Sequence, residues 1–138
     1  MKVSPNAPCP CGSQAKLKKC CGPYHGGRPA PPHRLMRARY TAFAMGKVDF
    51  LLDTTHPEGP QAQPDRARWR AELDAYCRTT QFDGLTVLEH DVDEQAGRAT
   101  VTFRAELSRD GRPLGFTECS LFLRVDGRWL YHSGDMLD

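Results

Sequence analysis

The chain has 138 residues, 39% of them hydrophobic and 26% charged, with a formal net charge of +2; that length suits one ordinary domain plus a small appendage. No stretch approaches the roughly eighteen apolar residues of a membrane span, and the run Met1-Lys2-Val3-Ser4-Pro5-Asn6 has no apolar segment to serve as a secretory signal, so a cytoplasmic location is expected. The small net charge hides an asymmetry: residues 1–48 hold nine Lys or Arg and no Asp or Glu, whereas the remaining ninety hold ten basic and seventeen acidic side chains.

The first element is a cysteine loop. Cys9, Cys11, Cys20 and Cys21 follow the spacing C-x-C-x(8)-C-C, which supplies the four ligands of a closed tetrahedral zinc site. A disulfide framework would need an oxidising compartment, and a redox C-x-x-C is absent. An iron-sulfur cluster matches in ligand count but differs in its usual spacings, and inert thiols are the remaining alternative. Besides Met1, the only sizeable apolar or aromatic side chains in residues 1–27 are Val3, Leu17 and Tyr24, too few to offset the entropy of ordering such a segment. Zinc binding contributes about 10 to 16 kcal/mol of apparent folding free energy to sites of this kind, so a structural zinc knuckle over 1–27 is expected. His25 is either a substitute for Cys21 as fourth ligand or a surface histidine. Lys16, Lys18 and Lys19 lie between the ligand pairs and form a basic knob, suited to an acidic protein surface or to phosphates, or serving only to keep the module soluble.

Gly26-Gly27-Arg28-Pro29-Ala30-Pro31-Pro32 reads as a linker, centred on 28–32 and able to span roughly 20 Å when extended. From 33 to 138 the pattern predicts an α+β domain, with helices first and strands second. His33 to Met45 is a helix with Leu35, Met36, Tyr40, Phe43 and Ala44 on one side and Gly46 as its stop. A short helix covers Val48 to Asp53. A third runs from Pro64, in its first turn, to Thr80, with Trp69, Leu73, Tyr76, Cys77 and Thr80 as its core stripe; Cys77 and the later Cys119 read as small buried hydrophobes.

Four strands are expected: Gly84 to Asp93, Arg98 to Arg109, Leu114 to Val125 and Arg128 to Asp135. The separators Glu94-Gln95-Ala96-Gly97, Asp110-Gly111-Arg112-Pro113 and Asp126-Gly127 are hairpin chemistry, so the strands should pair antiparallel. In the second strand Val101, Phe103, Ala105 and Leu107 alternate with Thr100, Thr102, Arg104 and Glu106. The third carries Cys119, Leu121, Leu123 and Val125 on one face, and Phe116, Glu118, Ser120, Phe122 and Arg124 on the other, so both faces should be covered. Three helices on a curved antiparallel sheet form a cone, and such curvature leaves a cleft. Candidate pocket residues are Arg39, Tyr40, His56, Glu118, Ser120, Trp129 and His132, with Asp135; a histidine beside a carboxylate can perform acid-base chemistry if the two converge. Each also has a structural reading. Arg39 and Glu118 can form a buried ion pair, His56 can cap the turn before Pro57, His132 can face solvent, and Tyr40, Trp129 and Tyr131 can be core aromatics. No residue is assigned as catalytic.

Cys-Pro-Cys-Gly-Ser at 9–13 with Lys-Cys-Cys-Gly at 19–22 resembles the SEC-C zinc motif, best known at the carboxyl terminus of the SecA translocation ATPase. Leu35-Met36-Arg37-Ala38-Arg39-Tyr40-Thr41-Ala42-Phe43, Thr55-His56-Pro57, and Glu118, Ser120, Phe122, Trp129, Tyr131 and Gly134 resemble the YchJ family of bacterial proteins. The resemblance implies a zinc knuckle followed by a nuclear-transport-factor-two-like cone. Gln14 stands where the motif commonly has glycine, and a second knuckle of some relatives has no counterpart before Asp138, so one knuckle per chain is expected. Because the SecA motif contacts the acidic chaperone SecB and is linked to ribosome association, the resemblance implies an interaction or adaptor module whose Lys16, Lys18 and Lys19 contact an acidic protein or ribosomal surface. The alternative is an enzyme or small-ligand binder using the cone pocket, and a homodimer through a sheet face bearing Thr100, Thr102 and Arg104 is a third possibility.

Overall fold

Alternating apolar residues and Asp-Gly turns decide the sheet. In the computed structural model, which describes residues 2–137, β1 (Gln81–Asp93), β2 (Arg98–Arg109), β4 (Phe116–Val125) and β5 (Arg128–Met136) pair antiparallel in the order β1-β2-β4-β5, and the two-residue β3 (Arg112–Pro113) folds back on β2. Asp110 and Gly111, like Asp126 and Gly127, all have positive φ, the backbone that matches a tight hairpin to strand twist. β1 is irregular at two places, with register shifts between Phe82 and Gly84 and between Val87 and Glu89. The latter bulge leaves Leu88 exposed.

The two faces of β4, both expected to be covered, are covered unequally. Glu118, Ser120 and Phe122 are buried, whereas Cys119, Leu121 and Leu123 are half-buried and Val125 is exposed. Register is the reason: these three stand opposite Phe103, Val101 and Ala99 of β2, so they share that strand's apolar inner face. Cys119 is accordingly less buried than expected, while Cys77 is fully enclosed.

Four helices precede the sheet: α1 (Gly22–His25), α2 (Pro32–Met45), α3 (Val48–Asp53) and α4 (Arg66–Thr79). α2 starts one residue before the predicted His33, with buried Pro32 in its first turn, and ends at Gly46 in the left-handed conformation. α4 starts later than Pro64 because the Asp65 side chain accepts the Arg68 amide and caps the helix. Leu35, Met36 and Tyr40 of α2 pack on Val101, Phe103, Ala105 and Phe122 to form the main core. Leu51 and Leu52 of α3 meet Trp69 and Cys77 of α4 in a second cluster. After α3 the chain bridges β5 in parallel, the His56 amide donating to the Tyr131 carbonyl at 2.7 Å and the Tyr131 amide to the Thr54 carbonyl at 2.8 Å. The predicted linker does not hold the knuckle away, since Ala30 packs on the main core and Pro32 is buried.

Phe122→Ala should lower stability by about 3 to 5 kcal/mol in urea denaturation, because it opens a cavity at the centre of the core. Leu88→Ala at the exposed bulge should change stability by less than about 0.5 kcal/mol; equal losses at both positions would contradict this packing.

Candidate metal centre and cone cavity

A small hairpin builds the cysteine cluster. The Cys9 amide donates to the Ala15 carbonyl at 2.8 Å, the Leu17 amide donates to the Ala7 carbonyl at 2.9 Å, and Pro8 pairs with Lys16. A 3-10 turn at Leu17–Lys19, anchored by buried Leu17, then returns Cys20 and Cys21 to the first pair. Gln14 turns this loop with φ of 73°, so the position where the motif commonly has glycine keeps the left-handed backbone and bears its steric cost.

The four sulfurs lie within 4.8 Å of one another and all four residues are buried. Cys11 Sγ is 3.5 Å from Cys20 Sγ, which is 4.0 Å from Cys21 Sγ. These separations bracket the edge of about 3.8 Å that four ligands at about 2.3 Å would define around one ion. They are much longer than a disulfide bond, and all six cysteines are free. The donor set fits a soft or borderline metal held in a closed shell. The thiols titrate unequally, since hydrogen bonds with Cys21 and Cys9 pull the Cys11 pKa far down and those with Cys11 and Cys9 push Cys21 up.

Side chains of α2 and the ligand loop surround the sulfurs. The fully buried Thr41 hydroxyl lies 3.3 Å from Cys21 Sγ and 3.5 Å from Cys9 Sγ, and Arg37 Nη1 donates to the Cys11 carbonyl at 3.0 Å and to its sulfur at 3.7 Å. The Ser13 hydroxyl reaches Cys20 Sγ at 3.1 Å, and Ala38 fills the floor of the cluster. Sulfur hydrogen bonds of this kind spread thiolate charge and fix ligand orientation. His25 is neither a ligand nor a surface residue. Its ring is partly buried, its Nε2 is 2.8 Å from the Ala38 carbonyl, and burial lowers its pKa. Lys16, Lys18 and Lys19 are all exposed. Sequence reasoning missed Arg37 and Thr41 as groups around the sulfurs; their one signal was the i, i+4 spacing that puts them on a single helix face.

The other side of α2 lines a cavity of about 330 Å³ inside the cone. Among the predicted pocket residues, Arg39, Tyr40, Glu118 and Ser120 border it, and His56, Trp129 and His132 do not. Trp129 lies under the Arg124 guanidinium, 5.1 Å from its ring centroid. His56 and His132 pair edge to face at 5.1 Å; His56 Nδ1 accepts the Glu58 amide and His132 Nδ1 is 2.9 Å from the Ser133 hydroxyl. Asp135 is exposed.

Arg39 and Glu118 form no direct ion pair. Arg39 Nη1 instead donates to the Leu51 carbonyl and to the Thr54 and Thr55 hydroxyls at 3.1, 2.8 and 3.2 Å, and its guanidinium lies 4.6 Å from the Tyr131 ring centroid. Burial lowers its pKa to about 10, with Tyr131 and Glu118 acting in the opposite sense. Glu118 Oε2 accepts from the Ser120 hydroxyl at 2.5 Å and the Tyr131 hydroxyl at 3.2 Å. Gln61 Nε2 in turn donates to the Tyr131 oxygen at 3.3 Å. Burial and the Glu118 charge both raise the Tyr131 pKa, so its hydroxyl keeps its proton and remains a donor. Opposite Ser120 in β5 stands Gly134, where a Cβ would collide with the Glu118 carboxylate.

The comparisons with known proteins match this two-part architecture. Residues 31–134 match the family model described as YchJ, middle NTF2-like domain, and residues 6–23 match the SEC-C motif. A UPF0225 protein of Streptomyces coelicolor is 41% identical over 136 residues, covering 97% of this chain and 99% of that protein. The solution structure of a SEC-C motif containing protein from Rhodopseudomonas palustris has a TM-score of 0.77 at 31% identity, covering 96% of this chain and 100% of that one. The crystal structure of a SEC-C motif containing protein from Psychrobacter arcticus has a TM-score of 0.73 at 24% identity, covering 91% and 80%.

Thr41→Val should weaken metal retention by roughly tenfold in a chelator competition, while Thr41→Ser should preserve it. Gln14→Gly should stabilise the protein by up to about 1 kcal/mol in thermal unfolding, because it removes the left-handed penalty of a side chain.

Proposed function

The chain belongs to the YchJ family, with a SEC-C motif ahead of an NTF2-like middle domain, and on that premise we propose that it is a zinc-stapled interaction module. The observation that carries this reading is the convergence of four buried cysteine sulfurs within 4.8 Å beneath a loop whose three lysines are exposed. Cys9, Cys11, Cys20 and Cys21 hold the zinc. Four thiolates leave no open coordination position for a substrate, so the ion is a staple rather than a catalyst. Lys16, Lys18 and Lys19 contact an acidic protein or ribosomal surface. An amino-terminal third without acidic residues favours such an encounter over long range.

A second reading, a small-ligand binder using the cone, is favoured by the buried Glu118 carboxylate at the wall of the cavity.

The purified chain should carry one zinc equivalent by elemental analysis, lost in Cys11→Ser. Changing Lys16, Lys18 and Lys19 together to glutamate should abolish salt-sensitive capture of its partner from a bacterial lysate while the zinc content stays intact. Capture that persists unchanged in this variant would sink the adaptor reading.

A further inference from the structure

The cavity walls are aromatic, contributed chiefly by Tyr40, Phe82, Phe103, Phe116 and Phe122, and they surround one carboxylate. Glu118 is only 8% exposed, a burial that carboxylates rarely reach without full pairing. Its hydrogen bonds are one-sided. Ser120 and Tyr131 both donate to Oε2, and among the described residues no donor reaches Oε1. Arg39 borders the same cavity but makes no ion pair with Glu118, its Nη1 donating instead to Leu51, Thr54 and Thr55. The arrangement is built for the acid, since Gly134 leaves room for a carboxylate that any larger residue would displace. Gln61, Tyr76 and Met136 line the cavity and are themselves exposed, so they form its mouth.

We propose that the cone cavity binds a small aromatic or alicyclic molecule of about a dozen non-hydrogen atoms bearing one hydrogen-bond donor, a hydroxyl or an ammonium, which Glu118 accepts through Oε1. This rests on the second reading above, that the cone is a ligand site, and adds the chemistry of the ligand. The aromatic walls take up the apolar body and favour a cation over a hydrocarbon. A carboxylate ligand is disfavoured against a hydroxyl or ammonium of the same shape, since it cannot donate to Oε1 and meets a like charge there.

The test uses the full zinc-loaded chain and four probes substituted at the same ring carbon: naphthylethanol, naphthylethylamine, ethylnaphthalene and naphthylacetate, titrated by calorimetry. The alcohol or the amine should bind roughly tenfold or more tightly than ethylnaphthalene, and naphthylacetate should bind weakest. Amine ahead of alcohol identifies an ammonium ligand, and the reverse identifies a hydroxyl. Glu118→Gln should reduce the advantage of the amine, and because the series is first measured on the unmodified chain the result does not depend on how that variant folds. If ethylnaphthalene binds as tightly as both donor-bearing probes, the donor assignment is overturned and a cavity for apolar ligands remains. No saturable binding of any probe overturns the ligand site itself.

Discussion

Everything in this molecule leans on α2, a helix with chemistry on two sides. One face presents Arg37, Ala38 and Thr41 to the sulfur cluster, and the other presents Met36, Arg39 and Tyr40 to the sheet and its cavity. The Thr41 hydroxyl touches two sulfurs, while Tyr40, the preceding residue, packs edge to face on Phe82. A displacement of the helix that suited one side would break contacts on the other. The cysteine loop therefore does more than fold itself: through α2 it sets the height at which Arg39 enters the cone. Arg39 in turn gathers the end of α3 and the bridge to β5, because its three acceptors come from Leu51, Thr54 and Thr55.

The two halves of the chain divide the labour electrostatically. The knuckle contributes exposed cations on a loop held by buried sulfur, with Arg37 turned inward to the Cys11 sulfur and carbonyl. Among the described residues the cone buries one cation and one anion without joining them, and Tyr131 mediates by offering its ring face to Arg39 and its hydroxyl to Glu118. A mediated pair keeps the Glu118 charge close enough to favour the protonated Arg39 guanidinium. It also leaves each free to make directional hydrogen bonds of its own.

Features fixed by local chemistry were readable in the sequence, and those fixed by register or docking were not. Four thiols at that spacing, with almost no apolar residues around them, pointed to a metal-held loop. The hairpins followed from Asp-Gly pairs, and α2 from its stripe and Gly46. The orientation of β4 was ambiguous because both its faces carry large apolar residues. Only the pairing with β2 puts Glu118 and Ser120 inside. Sequence placed His56 and His132 beside Arg39 and Glu118 as one candidate pocket, whereas the parallel bridge at Tyr131 sends the two histidines to a different surface. Gln61 gave no periodic or compositional signal, since a loop residue that bonds across 70 positions is specified by tertiary contact alone.

The parallel bridge between Thr55 and Tyr131 also bears on how this sheet behaves among other proteins. An open sheet has two edges, each a template for an intruding strand. On the β5 side the bridge occupies the amide and carbonyl of Tyr131. On the β1 side two bulges break the ladder and Asp83, Glu89, Asp91 and Asp93 line the strand, so a foreign strand would meet misaligned donors and negative charge. Strand-by-strand aggregation is thereby discouraged at both ends of the sheet, and a second copy of the chain would have to approach a face rather than an edge.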